Sequence, residues 1–243
     1  MRAVLLSFAV IALEAGCSPA APDAGRAFKS TGEVIALGGG DGGAKQACFL
    51  CHGLDGAGDG VSAPRLAGLD AGYLQKQLED YATQLRPDGV MTPVAKRLDH
   101  NDRRAVAAYY AAMPHGSGRA APTAAPTAYF ADDPERGVLS CASCHGEAGE
   151  GLGPGNPALA GQPSAYTLDQ LRRWRKAERR NDPRGVMMAA AGRLTEAEMR
   201  AIAVWLQGRP ASPRPESAAA SASYGAAAVE QSAAFRAAHR PDR

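Results

Sequence analysis

Apolar residues recur at helical spacing in two distant stretches of the chain. The two series are Val106, Tyr109, Tyr110 and Met113, and Met199, Ile202, Trp205 and Leu206. Steps of three and four residues place such side chains on one face of a helix. Thr195 with Glu198 forms a capping box before the second series, and Asp99 with Asp102 holds the matching positions before the first. Because no stretch alternates over strand length, the pattern predicts an all-α fold.

Helix-start signals also precede two cysteine motifs. Asp133 followed by Pro134 is typical of an N-cap with proline at the first helical position, and predicts a helix that leads into Cys141. Asp41 is expected to cap the matching helix in the first half of the chain.

The chain contains an internal repeat. An offset of 93 residues relates several groups of identical residues, namely Cys48, Cys51 and His52 to Cys141, Cys144 and His145, Pro64 to Pro157, and Tyr73 to Tyr166. After an insertion of three residues at 182–184 the offset becomes 96, and it relates Met91 to Met187. Two homologous tandem domains follow, which we expect at 24–113 and 130–208.

The segments outside the repeats have different compositions. Residues 114–129 are rich in Pro, Ala, Gly and Thr, which predicts a linker. Residues 209–243 contain few large apolar side chains, so we expect a disordered tail, with an alanine-rich helix at 218–238 as the alternative.

The N-terminus has the pattern of an export signal. Residues 1–23 begin with one arginine and an apolar run that is shorter than the roughly 20 residues of a membrane span. Cys17 resembles the lipidated residue of a bacterial lipoprotein, and cleavage near Ala20 is the alternative. The expected location is therefore periplasmic, either soluble or attached to the membrane surface through a lipidated Cys17.

Composition and charge narrow the class of protein. Lys and Arg total 27 against 25 Asp and Glu, and this formal charge of +2 argues against a nucleic-acid binder. Aromatic residues are only 6% of the chain, which leaves little bulk for two small cores. A buried cofactor would supply that bulk.

Both cysteine motifs have the Cys-x-x-Cys-His pattern of covalent haem attachment, with the residues Cys48, Cys51 and His52, and Cys141, Cys144 and His145. On a helical turn the two thiols and the imidazole project from one side, so the thiols can form thioethers to the haem vinyl groups while the histidine binds the iron. Zinc is disfavoured because the two pairs lie in separate repeats, and a redox dithiol because no βαβ context surrounds them. We expect two covalently attached haem c groups.

The sixth iron ligand distinguishes electron carriers from enzymes. Met91 and Met187 each follow Gly-Val and are the methionines that the two halves share, whereas the counterpart of Met188 is a threonine. We therefore predict Met91 and Met187 as ligands. His100 and His115, like His239, have no match in the other repeat and are expected to face solvent. The carbonyl groups of the repeated prolines, Pro64 and Pro157, are expected to accept the Nδ1 proton of the axial histidines.

Further shared motifs surround the haem sites, namely Pro64 to Gly68 and Pro157 to Gly161, Gln162, Tyr73 and Tyr166 with their Gln-Leu pairs, Arg180-Asn181, and Met91 to Ala95. Over residues 41–207 the chain resembles the di-haem cytochrome c4 family. The resemblance implies two cytochrome c folds related by a pseudo-twofold axis, with facing haem propionates and His/Met ligation at both irons. It also implies electron transfer to a terminal oxidase or from a dehydrogenase.

The leading functional hypothesis is a non-enzymatic periplasmic electron carrier between respiratory-chain or dehydrogenase donors and a terminal oxidase. Its expected partners are redox proteins, namely a terminal oxidase, a quinol-oxidising complex or a dehydrogenase. The alternatives are the cytochrome subunit of a dehydrogenase complex, and a di-haem peroxidase if one iron lacks its methionine. The stretch 172–184 carries seven basic residues, and we hypothesise that Arg172, Arg173 and Arg175 steer the molecule toward an acidic partner.

Overall fold

The computed structural model describes residues 31–114, 124–182 and 184–211. Within these ranges the regular elements are helices, and the two β-bridges are isolated residue pairs. The predicted all-α fold is confirmed. The signal segment with Cys17, the residues His115 and His239, and the predicted tail beyond Ala211 lie outside the described residues. No helix in the described ranges has both the length and the apolarity to cross a bilayer.

The first repeat packs its helices around one apolar core. Its helices are α1 (Gly32–Gly38), α2 (Phe49–His52), α3 (Ala71–Ala82), α4 (Met91–Lys96) and α5 (His100–Ala111). Helix α5 packs against α1 and α3, and α4 packs against α3. The core includes Ile35, Leu74, Leu98, Val106 and Tyr110.

A glycine permits the close crossing of α1 and α5. A Cβ atom on Gly32 would lie 2.1 Å from the Ala105 carbonyl oxygen, far inside van der Waals contact. Any larger residue would push the two helices apart.

The second repeat has the same order of long helices. Its helices are α6 (Thr127–Phe130), α7 (Ala142–His145), α8 (Ser164–Arg175), α9 (Val186–Arg193) and α10 (Glu196–Gln207). Tyr129, which the sequence assigns to the linker, is fully buried in this core, and its ring lies 4.7 Å from that of Trp205. Ala211, assigned to the tail, is also buried. Buried residues of the second repeat are therefore found on both sides of the predicted range 130–208.

Both capping boxes are confirmed, at Asp99 with Asp102 and at Thr195 with Glu198. The predicted helix from Asp133 into the Cys141 motif is wrong, because residues 134–137 form a turn closed by the Asp133–Val138 bridge. The Asp133 carboxylate accepts hydrogen bonds from Arg136 within that turn.

The predicted cap at Asp41 is also wrong. Asp41 lies inside a short 3-10 helix (Gly40–Gly42), while the helix before it, α1, is capped by Thr31. The glycine-rich run around Asp41 favours tight turns over a longer helix, since glycine costs more backbone entropy in a helix than alanine.

Candidate haem sites and the interface between them

One cavity of about 760 Å³ is lined by residues of both repeats. Its lining includes the side chains predicted to attach and ligate haem, namely Cys48, Cys51, His52 and Met91, and Cys141, Cys144, His145 and Met187. The structure therefore brings every predicted site residue of each repeat to the same cavity. The remaining lining residues are mostly apolar, as a porphyrin face requires.

Each motif histidine is buried and oriented by a backbone carbonyl. His52 Nδ1 lies 2.9 Å from the Pro64 oxygen, and His145 Nδ1 lies 2.8 Å from the Pro157 oxygen. A carbonyl can only accept, so Nδ1 carries the proton and Nε2 presents a lone pair. Burial lowers the pKa of both imidazoles, which keeps them neutral, the form that binds iron. The predicted role of the two prolines is confirmed.

The motif cysteines do not have the properties of a redox dithiol. Burial raises the pKa of Cys48 and of Cys141 to about 11, so both thiols stay protonated at neutral pH, unlike reactive cysteines. All four motif cysteines are unpaired. Across the described ranges no three His, Cys, Asp or Glu side chains gather into a metal site of the zinc type.

Asp side chains hold the backbone at both predicted methionine ligands. The Met91 N–H donates to Asp88 Oδ1 at 2.9 Å, and the Met187 N–H donates to the Asp182 carboxylate. Met187 lines the cavity, and its competitor Met188 is not among the lining residues. His100 is exposed beside Glu79, away from the cavity, as expected.

A polar network that the sequence interpretation missed joins the two repeats. Arg86 of the first repeat donates to Gln77 at 2.9 Å, and across the interface to Tyr166 at 2.8 Å and Gln170 at 2.7 Å. Arg179 of the second repeat donates to Gln170 at 2.8 Å and across the interface to Gln77 at 3.0 Å. Both guanidinium groups are deeply buried.

The network is pseudo-symmetric. Tyr73 lies beside the Arg179 guanidinium, as Tyr166 lies beside that of Arg86, from which it accepts a hydrogen bond. Arg86 stacks on Tyr81, and Arg179 stacks on Trp174 at 3.7 Å. The signal for these residues was present in the sequence, because the repeat offset of 93 also relates Arg86 to Arg179 and Tyr81 to Trp174.

The donors in the cavity fit the carboxylates of haem propionates. Arg65, Arg86 and Arg179 are buried, line the cavity and form no ion pair with a carboxylate of any described residue. Arg65 Nε and Trp174 Nε1, also on cavity-lining residues, are buried without a hydrogen-bond partner among the described residues. Unpaired buried cations and donors are costly, and propionates would supply their missing partners. With the two thiols, the imidazole and the thioether in each repeat, this donor set suits two haem groups.

Several basic residues of 172–184 form ion pairs with carboxylates of the same chain. Arg172 and Arg175 both pair with Glu196, and Arg173 pairs with Asp88 of the first repeat at 3.3 Å. Arg172 and Arg175 are thus paired within the second domain, and Arg173 is paired across the interface. Steering toward an acidic partner stays a prediction.

Two protein-family models match the chain, one over each repeat. "Cytochrome C oxidase, cbb3-type, subunit III" matches residues 38–109, and "Cytochrome c" matches residues 128–209. The thiosulfate dehydrogenase electron acceptor of Thiomonas intermedia is 39% identical over 68% of this chain and 80% of its own length. The protein of the same name from Stutzerimonas stutzeri is 38% identical over 73% of this chain and 86% of its own length. Cytochrome c4 of Thiocapsa roseopersicina is 40% identical over 66% of this chain and 86% of its own length.

Solved structures agree with the sequence relatives. Reduced recombinant cytochrome c4 from Pseudomonas stutzeri is 29% identical with a TM-score of 0.63, and the match covers 73% of this chain and 96% of that one. A thiosulfate dehydrogenase from Marichromatium purpuratum is 39% identical with a TM-score of 0.68; the match covers 76% of this chain and 40% of that longer one. Two cytochrome c domains imply two covalently bound haem c groups. The chain is a di-haem electron carrier and belongs to the cytochrome c4 family.

Proposed function

We propose that this protein accepts electrons from a thiosulfate dehydrogenase and passes them to a further redox protein. The observation that carries the proposal is its similarity, along 80% and 86% of their lengths, to two proteins named as electron acceptors of that enzyme. The leading sequence hypothesis had respiratory-chain or dehydrogenase donors and a terminal oxidase as acceptor, and the alternative was the cytochrome subunit of a dehydrogenase complex. The partner named for these relatives is a dehydrogenase, which favours a dehydrogenase over a terminal oxidase as the partner proposed here.

The residues of the cavity support electron transfer without substrate chemistry. In each repeat a neutral histidine and a methionine line the cavity, and we propose His52 with Met91 and His145 with Met187 as axial ligands. Haem iron with such ligands exchanges single electrons, and a thioether raises its reduction potential. With both axial positions filled, oxygen or peroxide has no place to bind, so the peroxidase alternative is not proposed.

Reduction of the holoprotein by thiosulfate tests the proposed donor. The holoprotein, matured in an export-competent host, is mixed with purified thiosulfate dehydrogenase and thiosulfate, and reduction of its haem is followed by visible absorption. We expect fast reduction that requires both enzyme and thiosulfate. Reduction no faster than that of an unrelated cytochrome c of similar potential would contradict the proposal.

Methionine variants test the axial ligands independently of the partner. The weak band near the red end of the oxidised spectrum reports methionine sulfur on ferric iron. We expect Met91→Ala and Met187→Ala each to remove about half of this band and to let the reduced protein bind carbon monoxide. Met188→Ala is the matched control and should keep the full band. If Met188→Ala instead removed about half of the band, Met188 would replace Met187 as the assigned ligand.

We also propose that the protein is exported through the signal at 1–23, with lipidation of Cys17 as the competing outcome to cleavage near Ala20. Mass spectrometry of the mature protein distinguishes them, because lipidation leaves an acylated Cys17 as the first residue.

A further inference from the structure

The peptide group between Pro64 and Arg65 is hydrogen-bonded at both ends. Its carbonyl accepts from His52 Nδ1 at 2.9 Å, and its N–H donates to Gln162 Oε1 at 3.0 Å. Gln162 Nε2 in turn donates to the Arg65 carbonyl at 2.9 Å. A side chain of the second domain is therefore linked, through a single peptide group, to the axial histidine of the first.

This linkage is shielded from water. Gln162 is 4% exposed, Arg65 2% and His52 6%. The Gln162 amide both donates to and accepts from the backbone of Arg65, which fixes its orientation. The Arg65 side chain adds a further contact across the interface, to the Ala160 carbonyl at 3.0 Å.

The second domain has no equivalent arrangement. The Pro157 carbonyl accepts from His145 Nδ1 at 2.8 Å, but the residue that matches Gln162 in the first repeat is Leu69, which has no polar group on its side chain. The N–H of the same peptide group, that of Ala158, finds no acceptor among the described residues. The two axial histidines therefore differ in what lies behind their carbonyl partners.

Hydrogen bonds in a chain polarise one another. When the peptide N–H donates to Gln162, the carbonyl of the same peptide becomes a stronger acceptor. A stronger acceptor draws the Nδ1 proton and makes the imidazole a more basic ligand. A more basic ligand stabilises ferric over ferrous iron, and such hydrogen bonding is one of the means by which proteins set haem potentials.

We propose that Gln162 is a positioning residue that lowers the reduction potential of the haem in the first domain, acting across the interface through the Pro64–Arg65 peptide. The inference rests on the haem that the family implies, and is independent of the dehydrogenase proposed as donor. The potential of the first haem then depends on the docking of the two domains, whereas the bond behind His145 lies within its own domain.

The test is the variant Gln162→Leu, which gives the second repeat the leucine that the first has at Leu69. Both midpoint potentials of the holoprotein are measured by spectroelectrochemistry, with the two haems assigned by NMR. We expect the potential of the first haem to rise, with a shift of about threefold in its reduction equilibrium, or about 28 mV at 59 mV per tenfold for one electron. The potential of the second haem should stay constant. In the reduced protein, the Nδ1 proton of His52 should exchange faster with solvent, and that of His145 should not.

Two further variants separate this effect from loosened packing. Gln162→Met keeps the unbranched shape and removes the polar atoms, so it should reproduce the rise and serves if the leucine variant does not fold. Arg65→Met removes a contact across the interface but leaves the Pro64–Arg65 peptide intact; it deletes a positive charge, so the potential of the first haem should fall. An unchanged first potential in both Gln162 variants, or an equal shift of both potentials, would overturn the proposal.

Discussion

The hydroxyl of Tyr166 offers a sharp test of the interface, because its removal deletes one hydrogen bond and leaves the ring in place. It accepts from the buried guanidinium of Arg86 at 2.8 Å, across the two domains. A hydrogen bond to a charged group contributes about 1.5–3 kcal/mol. The same Arg86 nitrogen also donates to Gln170 at 2.7 Å, so the donor keeps one partner. We therefore expect Tyr166→Phe to lower the free energy of unfolding by about 1.5 kcal/mol, the lower end of that range.

The assay is urea unfolding of the oxidised holoprotein, followed by circular dichroism. Tyr109→Phe is the matched control, since Tyr109 is also half-buried, lies within the first domain and accepts no hydrogen bond from an arginine of the described residues. Its unfolding free energy should stay within about 0.5 kcal/mol of the wild type.

A double-mutant cycle isolates the contact itself. Tyr166→Phe and Arg86→Met, singly and together, should show a coupling energy of about 1–2 kcal/mol, within the range of about 0.5–3 kcal/mol for residues in contact. If Tyr166→Phe costs no more than Tyr109→Phe, and the cycle gives no coupling, then this hydrogen bond does not stabilise the docked domains and the reasoning is refuted.

Three further predictions concern the fold and the haem environment. Gly32→Ala should destabilise the first domain by about 1–3 kcal/mol in urea unfolding, because its Cβ would lie 2.1 Å from the Ala105 carbonyl oxygen; an unchanged midpoint would contradict the close crossing. Hydrogen bonds from Arg136 and from the helix cap lower the pKa of Glu198 from 4.5 to about 2. The ionised carboxylate therefore stabilises the fold, and Glu198→Gln should lower the free energy of unfolding by about 1 kcal/mol above pH 4.5. This difference between the variant and the wild type should vanish as the pH falls through about 2, which urea unfolding at a series of pH values measures. Arg179→Gln removes a buried positive charge from the cavity, which should favour ferric iron and lower both midpoint potentials; spectroelectrochemistry showing no change in either would argue against a propionate partner.

The sequence predicted what local spacing and the repeat determine. The cysteine and histidine positions follow from the geometry of one helical turn, and the carbonyl partner of His52 followed from its shared offset in both repeats. Asp133 misled the interpretation, because a short polar side chain before proline serves a tight turn as well as a helix start. The packing of Tyr129 on Trp205 is a tertiary contact that no local spacing encodes.

The interface could not be predicted from local signals. Gln77 and Arg179 are 102 residues apart. In the sequence alone, the two arginines resemble residues of a solvated helix face. Their burial is visible only in the structure, where the two repeats pack together. Gln162 was visible as a departure from the repeat, since Leu69 stands at its matching position. Its contact with the backbone of Arg65 depends on how two loops meet, which no periodicity encodes.

The reciprocal contacts of Arg86 and Arg179 bear on the ancestry of the molecule. Arg86 reaches Tyr166 and Gln170 of the second repeat. Arg179 reaches Tyr73 and Gln77, the matching residues of the first repeat. Such reciprocal contacts are the arrangement of an isologous interface in a two-fold homodimer. A duplicated gene for a dimeric single-domain cytochrome would give this chain directly, and covalent fusion would keep the halves together at any concentration. Fusion also allows each half to mutate alone, as Leu69 and Gln162 have done. A dimer of identical subunits would have two equivalent irons, and such divergence is the means by which a single chain can make them unequal.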